Sequence, residues 1–250
     1  MSGPRQTEHL PAPAPDPARA VVVIPTYNER ETLLDIARAV LSLRGGWSLL
    51  IVDDNSPDGT GRLADELAAA EPRVSALHRA RKEGLGPAYI AGFKHALGEP
   101  QFEFVAQMDA DFSHDPTDVP RLLEALREAE LAIGSRYVPG GRTEGWDLRR
   151  RVLSRWGNAY VRLVVGAPVR DMTAGFRVWR RAALEAVDLE AVKTRGYGFQ
   201  IEMALRAVAA GCRVVEVPIC FTERRAGQSK MTGSIITEAV VLPWKLRRLR

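Results

Sequence analysis

Cysteine is scarce in this chain, with two among 250 residues. A disulfide scaffold is excluded. Cys212 and Cys220 lack CxxC spacing and flank the apolar run at 213–219, so they read as buried free thiols of a protein kept in a reducing compartment. No apolar run reaches the ~18 residues that a membrane-crossing helix needs. The N-terminus lacks the charged-then-apolar pattern of a signal peptide, so secretion is not expected. Charge of one sign is not in large excess either: 35 Lys and Arg against 31 Asp and Glu leave +4. A mild surplus suits nucleic acid, anionic headgroups or a phosphorylated substrate equally, and its placement must decide. Several catalytic signatures are missing as well: no GxxxxGK followed by Ser or Thr, no HExxH and no GxSxG. Gly84-Leu85-Gly86-Pro87-Ala88-Tyr89 begins like a dinucleotide fingerprint but puts tyrosine where the third glycine belongs, which argues against a nicotinamide dehydrogenase. What remains, 46% hydrophobic and 26% charged residues, is ordinary globular material with enough apolar mass for one large core.

The chain opens on a Pro/Ala segment, so residues 1–19 read as a disordered tail. From residue 20 apolar, β-branched runs at 20–25, 47–52, 73–78, 102–108 and 131–135 alternate with amphipathic stretches near 29–43, 60–70, 86–97 and 116–129. This pattern predicts an α/β fold with a mostly parallel central sheet flanked by helices, because near-continuous apolar strands must be covered on both faces. Beyond 136 come a Gly/Arg-rich loop, a basic helix at 147–165, a helix near 197–210, a strand at 212–219 and a terminal basic helix. The expected organisation is a single catalytic domain over 20–232, split into a nucleotide and metal half (20–135) and an acceptor half (136–232), followed by an amphipathic basic helix at 233–250.

Ligands of open parallel sheets gather at the carboxyl ends of the strands. There the sequence places Pro25-Thr26-Tyr27-Asn28-Glu29, then Asp53-Asp54 with Asp58-Gly59-Thr60, then Asp109-Ala110-Asp111, and finally Arg136. Two carboxylates two residues apart at a strand end can both reach one hard divalent cation; the alternative is a polar turn before a helix. Asp115 before Pro116 reads as an N-cap, and Asp58 as turn chemistry. Asp54 is either a ligand of a nucleobase or ribose or part of that turn, Tyr27 can stack on a base, and Glu29 fits the first turn of a helix equally well. Trp146, Arg150 and Ser154, spaced by four, would share a helical face, and with Arg136 they form a plausible cradle for a phosphate. The Gly-containing basic loop at 221–230 can close over a diphosphate with Arg224 and Lys230, or it is a plain exposed connection. Asp171 and Glu202 are further carboxylates that are either ligand candidates or structural.

Taken together, Ile24-Pro25-Thr26-Tyr27-Asn28-Glu29, Val52-Asp53-Asp54-Asn55-Ser56-Pro57-Asp58-Gly59-Thr60, Met108-Asp109-Ala110-Asp111-Phe112-Ser113-His114, Gly134-Ser135-Arg136-Tyr137, Gly145-Trp146-Asp147-Leu148-Arg149, Thr173-Ala174-Gly175-Phe176-Arg177 and Gly227-Gln228-Ser229-Lys230 resemble the family 2 glycosyltransferases, specifically the polyprenol (dolichol) phosphate mannose synthases. The resemblance runs from about residue 20 to about 242 with the motifs in order. It implies a GT-A fold, a Mg²⁺ or Mn²⁺ ion, GDP-mannose as donor, a polyprenyl phosphate as acceptor, and an inverting transfer. By position it assigns Pro25, Tyr27, Glu29, Val52 and Asp54 to the guanosine. Asp109, the Ala110 carbonyl and Asp111 go to the metal and diphosphate, Arg224 and Lys230 clamp the donor, and Arg136, Arg150 and Ser154 receive the acceptor phosphate. Arg136 touches the donor too, and the catalytic set is Asp111, Arg136 and Arg150. Ser113 stands where relatives carry glutamine, which leaves its place in the metal shell open. A phosphate monoester is already largely dianionic near neutral pH, its second pKa being about 6, so such a reaction needs no strong general base.

A chain that stops after a cationic amphipathic helix is expected to be a peripheral enzyme at the cytoplasmic face of the membrane, with a separate membrane protein as a further docking partner. Transfer of glucose or another sugar from a different nucleotide is the competing enzyme reading. An inactive nucleotide-sugar-binding membrane scaffold is the competing class, and it would be expected to lose the metal aspartates. Nucleic acid is not expected as a partner, since the basic residues alternate with acidic clusters and form no stripe with exposed aromatics.

Overall fold

The computed structural model describes residues 14–196, 198–223 and 241–249. In chain order the elements are β1 (Ala20–Thr26), α1 (Arg30–Leu41), β2 (Ser48–Asp53), α2 (Thr60–Ala70), β3 (Val74–His78), α3 (Leu85–Gly98), β4 (Phe104–Gln107), α4 (Val119–Ala125), β5 (Leu131–Ser135), β6 (Arg142–Glu144), α5 (Leu148–Val165), β7 (Arg177–Arg180), α6 (Arg181–Ala186), α7 (Gly198–Ala209), β8 (Val214–Pro218) and β9 (Cys220–Thr222). Each apolar run of the sequence became a strand of one seven-stranded sheet, in the order β3-β2-β1-β4-β7-β5-β8. Along β1, Val21 and Val23 face α3 and α7, where Tyr89, Phe93 and Phe199 lie; Val22 and Ile24 face α1 and α4, with Leu33, Ile36 and Leu122. Alternate residues thus feed two cores, which is why the strands had to be apolar throughout. Close packing of α3 on the sheet depends on Gly92, where a Cβ would come within 2.5 Å of Val23 Cγ1.

Three features depart from the sequence reading. The strand β7, flanked by Arg177 and Arg180, has no apolar run to announce it, yet it inserts antiparallel between β4 and β5. A small parallel pair, β6 with β9, brings 142–144 beside 220–222. The tail expected over 1–19 gives way at Asp16, whose carboxylate caps a 3-10 turn over Pro17–Arg19 that leads into β1; residues 1–13 lie outside the described residues. Both cysteines are free, as expected, but half-buried.

The helix at 147–165 forms as α5, with Asp147 accepting the Arg150 backbone N–H at 2.7 Å as its N-cap. Trp146 therefore precedes the helix and does not share a helical face with Arg150 and Ser154. Of the terminal helix, residues 241–246 are helical and Arg247–Leu249 form a 3-10 turn. Leu246 is buried there, and Trp244 donates its indole N–H to Tyr160 of α5 at 2.9 Å. Residues 233–240 lie outside the described residues.

Candidate active site

The parallel strands all end on one edge, and the antiparallel β7 begins there, so the loops after β1, β2, β3, β4 and β5 share a rim with the 171–176 segment. Three loops on this rim contain a residue with left-handed backbone: Asn28 (φ 60°), Asn55 (φ 58°) and Phe112 (φ 59°). Asparagine tolerates that conformation, whereas a bulky Phe pays roughly 1–2 kcal/mol for it. Such a cost is borne where surrounding structure fixes the turn, here directly after Asp111.

At the end of β2 the adjacent carboxylates part company. Asp53 is consumed internally, accepting from the Ser56 N–H at 3.0 Å, the Ser56 hydroxyl at 2.5 Å and Thr26 at 3.3 Å. Asp54 faces the loop after β3 and pairs with Arg79, whose other nitrogen holds Glu83 at 2.7 Å. Burial pushes the Asp54 carboxyl above its usual range, with Arg79 pulling the other way. Across from it, Lys82 Nζ lies 3.5 Å from the Tyr27 ring centroid. Asp58 is structural, as expected: it accepts the backbone N–H groups of Arg30 and Thr60 and so ties the β1 loop to the β2 loop. Glu29 fixes the start of α1, its N–H bonded to Thr60 Oγ1 at 3.0 Å and its carboxylate accepting Thr32. Pro25 is half-buried and Val52 buried beneath this corner.

The loop after β4 carries the densest acidic chemistry. Tyr89 donates its hydroxyl to Asp109 at 3.1 Å, and burial, then the Asp109 charge, raise the phenol well above its usual range, so it remains a donor. His114 accepts the Asp109 backbone N–H at 3.4 Å while stacked on Phe176 at 4.9 Å. Burial holds this imidazole below its usual pKa, against the pull of Asp109 and Asp111. Asp111 accepts the Ser113 N–H at 3.0 Å, and the fully buried Ser113 hydroxyl has no hydrogen-bond partner among the described residues. An all-oxygen set of two carboxylates, with the Ala110 carbonyl in the same turn and an orphan hydroxyl, fits a hard divalent cation. Among the described residues no three of His, Cys, Asp and Glu converge as a preformed cage.

On the other side of β7 the side chains of Arg136, Trp146, Arg150 and Ser154 come together, Trp146 from outside the helix. Arg136 is bound through Nε at 2.8 Å and Nη2 at 2.6 Å to Asp171, which is fully buried, and Nη2 also reaches Thr173 at 2.8 Å. The guanidinium lies 5.2 to 5.6 Å from the Tyr137, Phe221 and Trp146 ring centroids. Asp171 is thus the anchor of Arg136, with no face turned to solvent. Arg150 sits 4.2 Å from the Trp146 ring and is neutralised by Glu223 at 2.7 Å. Ser154 accepts the Tyr137 hydroxyl at 2.7 Å. Glu202 is structural: it takes the N–H groups of Lys193 and Thr194 and pairs with Arg206. Arg224 and Lys230 lie outside the described residues.

Sequence reasoning missed Arg79, Glu83, Tyr89, Tyr137 and Glu223 as members of this rim. The signal for Tyr89 was in plain view, six residues into the failed dinucleotide fingerprint; the others sit in loops where no spacing marks them.

Comparison with known proteins agrees with this geometry. The family model described as glycosyl transferase family 2 matches residues 21–188. A polyprenol monophosphomannose synthase of Mycolicibacterium smegmatis is 51% identical over 95% of this chain and 91% of its own length. An undecaprenyl-phosphate mannosyltransferase of Micrococcus luteus is 50% identical over 89% of this chain and 91% of its own. A dolichol-phosphate mannosyltransferase of Pyrococcus furiosus is 38% identical over 87% of this chain and 60% of its own. Among solved structures, glucosyl-3-phosphoglycerate synthase from Mycobacterium tuberculosis, in complex with Mn²⁺, UDP-glucose and phosphoglyceric acid, has the same fold. It superposes with a TM-score of 0.66 at 18% identity, covering 93% of this chain and 82% of that one.

Proposed function

The chain belongs to glycosyl transferase family 2, and on that premise we propose that it transfers mannose from GDP-mannose to a polyprenyl phosphate, with inversion, giving a β-linked polyprenyl phosphate mannose and GDP. One observation carries this reading. A single rim joins the Asp109 and Asp111 carboxylates, suited to a metal-bound diphosphate, to the Arg136, Arg150, Trp146 and Ser154 cluster, suited to a phosphate monoester. The names of the relatives at about half identity support the same donor sugar and acceptor class.

In this reading Tyr27 and Glu29, with Pro25 and Val52 behind them, frame the guanosine, and Asp54 accepts from the base. Asp109, the Ala110 carbonyl and Asp111, with Ser113 beside them, would hold Mg²⁺ or Mn²⁺, which when bound would supply positive charge against the diphosphate of the departing GDP. Tyr89 and Ser113 N–H fix the two aspartates by donating to them. Arg150 is neutralised by Glu223 until an acceptor phosphate replaces that carboxylate, one anion exchanged for another. Arg136, held in place by its ion pair with Asp171, presents oriented N–H donors between donor and acceptor. The acceptor arrives ionised, so the residues align two reactants without needing a base. Arg224 and Lys230 would close over the diphosphate.

The exposed face of α5 fits a lipid substrate. Leu148, Val152, Leu153, Trp156 and Leu163 are exposed there, joined by Val241 and Trp244, and Arg149, Arg151, Arg155 and Arg162 interleave them. Among the described residues no helix is long and apolar enough to cross a membrane; peripheral attachment to an anionic cytoplasmic membrane face, with or without a membrane-protein partner, follows from that surface.

The test is to incubate the purified chain with labelled GDP-mannose or UDP-glucose, polyprenyl phosphate and Mg²⁺ or Mn²⁺, with and without chelator. Label is expected in lipid from GDP-mannose alone and only with metal; label from UDP-glucose instead, or equal yield in chelator, overturns the assignment. Asp111→Asn should lower turnover by roughly 100-fold or more through loss of metal and diphosphate stabilisation. Arg150→Ala should raise the acceptor KM while leaving GDP binding intact.

A further inference from the structure

Beneath the Asp109 loop lies a buried amide chain. Trp179 donates its indole N–H to Gln107 Oε1 at 3.0 Å, and Gln107 Nε2 donates to both Gly175 O and Gln200 Oε1 at 3.0 Å. The chain ends at Gln200 Nε2, which has no partner among the described residues although Gln200 is only 3% exposed. An amide cannot be reversed here, because Gln107 already claims the oxygen. Leaving such a donor unpaired is costly, and a native fold retains it where something else uses it.

Its surroundings say what. Gly175 has no side chain, and a Cβ at that position would lie 3.4 Å from Gln200 Nε2, 3.7 Å from His114 Cε1 and 3.8 Å from Asp109 Oδ2. All three are ordinary contact distances, so the missing methyl leaves a gap lined by an amide donor on one side and a carboxylate acceptor on the other. Arg177 braces the gap by holding Ala174 O, Met172 O and Gln200 O together. A hydroxyl suits such a lining, since it accepts from the amide and donates to the carboxylate at once.

We propose that Gly175 and Gln200, with Asp109, form a subsite for one hydroxyl of the transferred sugar. The proposal rests on the glycosyl-transfer reading above and adds a sugar-specific contact to it. Gly175 leaves room for the hydroxyl, and Gln200 registers whether it is present.

Gly175→Ala is the direct test, because its methyl meets no atom closer than 3.4 Å. It should keep the wild-type melting temperature and GDP affinity yet weaken GDP-mannose use by about 10-fold, the loss of one well-made hydrogen bond in a filled site. Gln200→Glu keeps the acceptor for Gln107 and removes the donor. Its loss of kcat/KM should vanish with one member of a set of GDP-mannose analogues each lacking one hydroxyl, because that analogue has nothing to offer the amide. Unchanged turnover in Gly175→Ala, equal weakening of GDP and GDP-mannose, or the same loss with every analogue would each overturn the subsite. A wild-type chain inactive with GDP-mannose would instead count against the proposed function.

Discussion

His114 shows how one side chain can be held neutral among charges. Its ring stacks on Phe176, meets Phe221 edge to face and accepts the Asp109 N–H, so it serves as an acceptor and a packing surface. Burial depresses its folded pKa below the ordinary 6.5. The unfolded chain therefore binds a proton at higher pH than the folded one does. Stability is full above about 6.5 and declines as pH falls toward the folded value, by at most about 1.4 kcal/mol per pH unit for one proton. Thermal midpoints between pH 7.5 and 5 should fall less in His114→Asn than in the wild type; an unchanged slope would remove His114 as the source. At this scale the sequence was most legible where charge meets a strand end. Asp109 and Asp111 stand out because no cap or turn requires both. Gln200 does not stand out, since its meaning comes from Gln107, far away in the chain and brought close only by folding.

Among elements, α5 illustrates what periodicity can and cannot say. Its extent was readable from the amphipathic stretch, but its start was set by Asp147, whose carboxylate satisfies the Arg150 N–H. Trp146 stands before that start, outside the helix, and meets Arg150 from the loop, ring to guanidinium, rather than along a shared helical face. Asp147→Ala should cost about 1 kcal/mol, the usual worth of an N-cap, measured by denaturant unfolding, and should loosen the acceptor side selectively, seen as a raised acceptor KM with GDP affinity unchanged. Strand β7 was illegible for a different reason: four residues with arginine at both ends carry no hydrophobic signature, and Arg177 is fully buried only because carbonyls of 172–174 and of α7 receive it. Burial draws its pKa down to about 9, which still leaves it charged at neutral pH.

For the whole molecule, the mild positive balance gains a location. Acidic groups gather at the strand ends, while arginines line α5 and the terminal turn beside exposed Trp156, Leu163 and Trp244. Binding to anionic vesicles should weaken when Trp156 and Leu163 are replaced by serine and when residues 234–250 are removed, and added salt should weaken the wild type further. Sedimentation unaffected by either change would sink the peripheral-membrane reading.

The insertion of β7 also bears on how the protein is made. β4 pairs with β7 between Gln107 and Arg177, seventy residues later, and β5 waits for Val214 to pair with Leu131. On a ribosome, β1 to β4 can assemble early, while the far edge of β4 stays open until the second half emerges. An unpaired apolar strand recruits other chains, and natural edges are guarded by charge. Phe104–Gln107 has Glu103 before it and Asp109 and Asp111 after it, so the carboxylates proposed to hold the metal would double as sentries for a nascent chain whose sheet is not yet closed.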